Sequence, residues 1–250
     1  MELYDGERID YVNDNLSLIQ KTDGLTFGTD ALLLAGFMNL RGAYGIELGA
    51  GSGIISMLAL TRGKLGRAIC LEVQEKYAEL CKRNAELNGL SEKMTAVCCD
   101  VRDFKPDAEA EAVFTNPPYM KTDSGRSNVL DAKNIARHEV MGNISDFLIA
   151  AKRNLKYGGS FYAVYRPDRL TDLIYAMREC GIEPKRATFV HSDKSAESSM
   201  VLIEGKRGGK SGMRLTPPLI IYESENNRVY SSDMNYIMEN GAFPEKFTAK

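Results

Sequence analysis

Short apolar runs alternate with helical patterns along most of this chain. "YGIEL" (44–48) is a buried strand by its unbroken apolar run, and "GIISMLALTRG" after it has the length of a helix. "RAICLEV" (67–73) predicts a second strand. In "QEKYAELCKRNAELNG" Tyr77, Leu80, Cys81 and Leu87 share one helical face, and Gly89 is a natural stop. "MTAVCCD" (94–100) and "EAVFTN" (111–116) predict the third and fourth strands. "ISDFLIAAKRNLKYGG" predicts a helix capped by Ser145 or the preceding Asn143 and ended at Gly158-Gly159. "SFYAVYR" (160–166) is a fifth strand, "DRLTDLIYAMRECG" a helix, and "EPKRATFVHS" and "SSMVLIEGKR" a last pair of strands joined by the polar "DKSAE".

Strands separated by helix-length connections predict a parallel sheet covered on both faces. The last pair has no helix between its members, which predicts an antiparallel hairpin at the edge. The expected fold class is therefore α/β, doubly wound, with seven mostly parallel strands and one antiparallel edge strand. Residues 1–40 read as an N-terminal extension packing near the cofactor site, 41–210 as the sheet domain, and 211–250 as a tail with its own short hairpin and helix. "GKRGGKSGMR" (205–214) reads as a basic, glycine-rich loop.

Composition changes this picture little. The chain has 250 residues, 44% of them apolar, enough for one large α/β domain with an appendage. Residues 1–125 carry 13 Lys+Arg against 19 Asp+Glu, and the remainder 19 against 15, so the second half is mildly basic and suited to a polyanion. Five cysteines without a C-x-x-C spacing, and two histidines, make a poor metal inventory, so no metal is expected. Free thiols fit a reducing compartment. No apolar run is long enough to span a bilayer, and "MELYDGERID" lacks the basic start and apolar run of a secretion signal. A soluble cytoplasmic protein is expected.

"IELGAGSG" (46–53) joins the first strand to the first helix. Gly49, Gly51 and Gly53 allow a sharp turn and a close backbone approach to a ligand, above a helix N-terminus. Glu47 precedes them. Glu72, followed by Val73, ends the next strand, 19 residues after Gly53, where a ribose diol needs a carboxylate. Asp100, followed by Val101, ends the third. Three acids at strand ends, with no base to clamp a pyrophosphate, fit a cofactor with a cationic centre, which S-adenosylmethionine has. A dinucleotide site and an ordinary tight turn remain as alternatives.

"TNPPY" follows the fourth strand, at the carboxyl edge where open α/β sheets bind ligands. Pro117 and Pro118 stiffen the backbone. A planar amino group has two N–H donors. Asn116 Oδ1 can accept one and the Pro117 carbonyl the other, which draws the nitrogen towards tetrahedral geometry. No strong base is needed, because the proton can leave after transfer. Tyr119 offers a face on which a base can stack. Adenine N6, guanine N2 and glutamine N5 all suit such a site.

"IELGAGSG", "LEVQEKYAELCKRNAELNGL", "CCDVRDF" and "TNPPY" resemble the cofactor and acceptor motifs of class I adenosylmethionine-dependent N6-adenine methyltransferases. The flanks "ERIDYVNDNLSLIQKTDGLTFGTDALLLAGF", "ARHE", "PKR" and "PPLIIYE" extend the resemblance to the bacterial tRNA(Val) adenine-37 N6-methyltransferase family. The resemblance implies a Rossmann-like class I sheet, S-adenosyl-L-methionine as cofactor and tRNA as partner. It implies that Gly49 and Gly51 approach the methionine part, Glu72 the ribose, and Asp100 with Val101 the adenine. "FGTD" would close over the methionine end through Thr29 and Asp30. The cofactor set is then Thr29, Asp30, Glu47, Gly49, Gly51, Gly53, Glu72, Val73, Asp100, Val101 and Asn116, and the target base falls to Asn116, Pro117, Pro118 and Tyr119. "CCD" departs from the Gly-Asp of many relatives. Candidate RNA contacts are Arg137, Lys185, Arg186, Lys206, Arg207 and Lys210, while His138 reads as a loop or helix-cap residue. Alternatives are an rRNA guanine-N2 or protein glutamine-N5 methyltransferase, or a non-catalytic RNA-binding protein of the same fold.

Overall fold

The computed structural model describes residues 3–13, 15–22, 27–117, 143–224 and 227–248. The parallel core is β3 (Ala43–Leu48), β4 (Leu65–Glu72), β5 (Met94–Cys98), β6 (Ala110–Thr115) and β7 (Leu155–Tyr165). Helices α2 (Ile54–Thr61), α3 (Glu75–Leu87) and α5 (Leu170–Glu179) follow β3, β4 and β7, and α4 (Ile144–Asn154) leads into β7. β8 (Ile182–His191) and β9 (Ser198–Arg207) complete the seven expected strands. β10 (Arg214–Leu215) and β11 (Leu219–Ile220) are two-residue additions, and the order is β10-β8-β9-β7-β6-β3-β4-β5 with β11 also on β8.

The sheet is α/β, Rossmann-like and mostly parallel. One detail departs from expectation. The reversed strand, β9, lies between β7 and β8 and is antiparallel to both, so it is inside the sheet and not at its edge. The short "DKSAE" connection folds β9 back into the gap beside β7. β8 then runs parallel to β7, and its outer side takes the parallel pieces β10 and β11. A second departure is at α4. It ends at Asn154, because Leu155 enters the sheet opposite Ala110 and is fully buried there, so β7 begins five residues before the predicted Ser160. Asn143 is the cap. Its side chain accepts from Ser145 N and Asp146 N, and Asp146 returns a bond to Asn143 N.

Helices α2 and α3 pack on one sheet face and α4 and α5 on the other. Among the described residues before β3, β1 (Glu7–Asn13) and β2 (Leu16–Lys21) form a hairpin, and α1 (Thr29–Phe37) follows in the chain. Asn84 of α3 grips the hairpin by accepting from Ile19 N at 2.7 Å and donating to Ile19 O at 3.2 Å. In the tail, β12 (Tyr222–Ser224) and β13 (Asn227–Tyr230) pair antiparallel, with Tyr222 and Tyr230 stacked at 5.4 Å, and α6 (Ser232–Asn240) follows.

Candidate active site

The glycine turn is built from beneath. Gly49, Gly51 and Gly53 all have positive φ (69°, 54° and 81°). Gly53 is the tightest. A Cβ there would stand 2.4 Å from Met94 Cε and 2.6 Å from Cys81 Sγ. Glu47 is buried under the turn, where its Oε2 accepts from Ser56 N at 3.1 Å and Ser56 Oγ at 2.5 Å, in the first turn of α2. Burial, with the Glu72 charge adding, pushes its carboxyl up to about 8 against the Ser56 hydrogen bonds. Glu47 therefore braces the turn and helix. From the other side, Asn84 Nδ2 donates to Ser52 O at 3.1 Å, so one side chain ties the turn to the N-terminal hairpin.

Glu72 lies beside the turn, 5% exposed. Its Oε2 accepts from Gly51 N and its Oε1 from Gln74 N, each at 2.9 Å. An ionised carboxylate has about four acceptor sites, which leaves room for a diol. Asp100 is held by Arg102 through its backbone N–H (2.8 Å) and guanidinium (Nε at 2.9 and 3.0 Å), and these bonds keep its carboxyl below the usual range. Val101 is buried and its carbonyl accepts from Arg153 Nη2 at 2.7 Å. Val73 is half-buried and Thr29 exposed.

The acceptor segment adjoins this turn. Thr115 Oγ1 donates to Leu48 O at 2.8 Å, pinning the end of β6 to the residue before Gly49. Asn116 Nδ2 donates to Asp30 Oδ2 at 2.6 Å. Asn116 Oδ1 is buried and has no hydrogen-bond partner among the described residues. Pro117 is buried beside it. Pro118, Tyr119, Arg137 and His138 lie outside the described residues. Sequence reasoning assigned Asp30 to the methionine end of the cofactor, and the structure sets its carboxylate on the Asn116 amide. It missed Ser56, Thr115 and Arg102. The signal for each was local: Ser56 stands three residues past Gly53, Thr115 immediately before Asn116, and Arg102 two after Asp100.

Among the candidate RNA contacts, Arg186 needs correction. Arg186 is fully buried. Its fork donates to Glu204, Phe247 O and Phe37 O, each at 2.8 Å, and its guanidinium lies 3.8 Å above the Phe37 ring. Lys206 and Arg207 end β9 and are not in a loop. Lys206 pairs with Ser160, which pairs with Ala112, three residues before Thr115, so these cations sit towards the edge opposite Asn116. Arg207 bonds Glu109 and the Leu155 carbonyl, and Lys185 Nζ donates to the carbonyls of Lys210 and Gly212 at 2.9 and 2.7 Å. Among the described residues no helix is long and apolar enough to cross a membrane, and no group of three or more His, Cys, Asp or Glu is placed to hold a metal ion.

Residues 21–174 match the methyltransferase small domain family model. The chain belongs to this family. Its members use S-adenosylmethionine, and the site fits that group: carboxylates at the ends of β4 and β5, a half-buried glycine turn and a buried Asn116 Oδ1 with no partner among the described residues. A tRNA1(Val) (adenine(37)-N6)-methyltransferase of Dyadobacter fermentans is 24% identical over 200 residues, which cover 79% of this chain and 82% of that protein. Others of the same name match over roughly half their own length, from 42% to 56%. Among solved structures, a predicted O-methyltransferase from Agrobacterium tumefaciens superposes with a TM-score of 0.70 at 21% identity, over 86% of this chain and 98% of that one. A geranyl diphosphate C-methyltransferase from Streptomyces coelicolor, solved with S-adenosyl-L-homocysteine, gives 0.52 at 15% identity, over 71% and 78%. The structural likenesses speak for the fold, and the family for an adenosylmethionine-dependent methyltransferase.

Proposed function

We propose that this chain methylates the exocyclic N6 of an adenine in tRNA, with adenine 37 beside the anticodon of tRNA(Val) as the target. The observation that carries the proposal is Asn116, whose NH2 is engaged by Asp30 and whose buried Oδ1 has no partner among the described residues. A buried carbonyl without a donor costs about 1–3 kcal/mol, and an incoming amino group relieves that cost. The name of the Dyadobacter fermentans relative supports the substrate.

When bound, S-adenosylmethionine supplies an electrophilic methyl on a sulfonium. The chain's part is placement. Glu72 would accept the ribose hydroxyls, and Asp100 and Val101 would border the adenine. Gly49 and Gly51 let the backbone lie close to the methionine part. Asn116 Oδ1 and the Pro117 carbonyl accept the two N–H bonds of the target nitrogen and leave its lone pair directed at the methyl. Such fixed acceptors act through orientation and electrostatics. After transfer the nitrogen sheds one proton. A tRNA substrate places the protein in the cytoplasm.

Incubation with labelled S-adenosylmethionine and total bacterial tRNA, followed by nucleoside analysis, tests the reading. N6-methyladenosine mapped to position 37 of tRNA(Val) is the expected product. N2-methylguanosine in that tRNA, or no labelled nucleoside, would contradict it.

A further inference from the structure

We propose that Asp30 is a positioning residue that fixes which end of the Asn116 amide faces the substrate nitrogen; this rests on the acceptor reading above. An asparagine amide turned over occupies nearly the same volume but presents NH2 in place of oxygen. Facing an amino group, the turned amide opposes donor to donor and cannot accept. Something must select the productive end. A carboxylate only accepts, so Asp30 Oδ2, 2.6 Å from the amide nitrogen, admits the NH2 and rejects the oxygen. The backbone before the amide is already pinned by the Thr115–Leu48 bond, which leaves the amide end to Asp30.

The seat of this carboxylate is itself built. Asp30 is the second residue of α1, and Gly28 caps that helix without a side-chain bond. A Cβ on Gly28 would lie 2.5 Å from Asp30 Oδ1. The Gly28 φ of −121° is open to any residue, so what the glycine supplies there is space: a Cβ would make the Asp30 carboxylate shift. In "FGTD" the glycine makes room for the acid, and the acid orients an amide 86 residues away.

A reciprocal exchange separates this role from a merely structural tie. Asp30→Asn removes the discrimination and is expected to lower kcat about 10- to 100-fold with the tRNA KM and cofactor affinity within about threefold, since small misplacements of reacting groups cost that much. Asn116→Asp sets two carboxylates face to face and is expected to fall further. The double variant Asp30→Asn/Asn116→Asp restores a donor facing an acceptor and is expected to exceed Asn116→Asp alone at least about tenfold, a coupling that independent sites do not show. Gly28→Ala, which crowds the carboxylate without removing it, is expected to show a partial Asp30→Asn defect. The proposal is overturned if folded Asp30→Asn keeps kcat within about twofold while Asn116→Ala is inactive, or if the double variant is no better than Asn116→Asp. Full activity in Asn116→Ala would instead bring down the acceptor reading, and this proposal with it.

Discussion

Single side chains decide the chemistry of this site. Glu47 is the clearest case of a residue whose charge state is set by burial. Its folded pKa of about 8 stands above the ordinary 4.5, so between those values the folded chain holds a proton that the unfolded chain releases. The stability it contributes is therefore complete below about pH 4.5 and is lost as pH rises through about 8, at up to about 1.4 kcal/mol per pH unit. Glu47→Gln accepts the same Ser56 bonds without titrating. Melting temperatures measured from pH 5 to 9 are expected to fall with pH more steeply in the wild type than in this variant, and parallel curves would contradict the assignment. That the glycine turn, Glu72 and Asn116 meet at one sheet edge was legible, because spacing along adjoining strands and turns reveals it. Asp30 was found in sequence, but its bond to Asn116 was not, because the two are distant in the chain and only the folded structure joins them. Arg186 misled for the same reason. A polar residue in a strand pattern reads as solvated, yet its acceptors come from Phe37, Glu204 and Phe247.

At the scale of elements, α1 carries the account, since it delivers Asp30. Its far end is closed by Lys64, which is buried and donates to Ala35 O at 2.8 Å and Gly36 O at 2.7 Å. One side-chain nitrogen thus satisfies two of the last carbonyls of the helix. Burial, with Arg186 and Arg62 nearby, lowers the Lys64 pKa to about 7. The sign is opposite to that of Glu47: this contribution is present above the unfolded value of 10.5 and is lost as pH falls through about 7. Lys64→Met strands two buried carbonyls and is expected to destabilise by about 1–3 kcal/mol, read as a lower denaturant midpoint at pH 8. An unchanged midpoint would show that water replaces the Lys64 nitrogen. The strands and helices of the core were legible from periodicity. The end of α4 and the inner place of β9 were not, because both depend on which strand lies alongside.

On the scale of the molecule, the sheet has a working edge and a remote one. The glycine turn, Glu72, Asp100 and Asn116 follow the carboxyl ends of β3, β4, β5 and β6, and Arg166 and Arg169 follow β7 on the same edge. Those two arginines pair with Asp168 and Asp172 at the surface, and such exposed pairs are worth little, at most about 1 kcal/mol, so phosphate can replace the carboxylates. Arg166→Glu with Arg169→Glu is expected to raise the KM for tRNA about tenfold or more, whereas Lys206→Glu with Lys210→Glu, towards the remote edge, leaves it within about twofold. Equal effects would contradict this placement of the RNA. The central claim is that the Asn116 carbonyl grips the amino group that receives the methyl. Single-turnover methyl transfer by Asn116→Ala, with cofactor affinity measured by calorimetry on the same sample, tests it most directly. A rate lower by about 100- to 1,000-fold at nearly unchanged affinity is the expected result; a wild-type rate would contradict it.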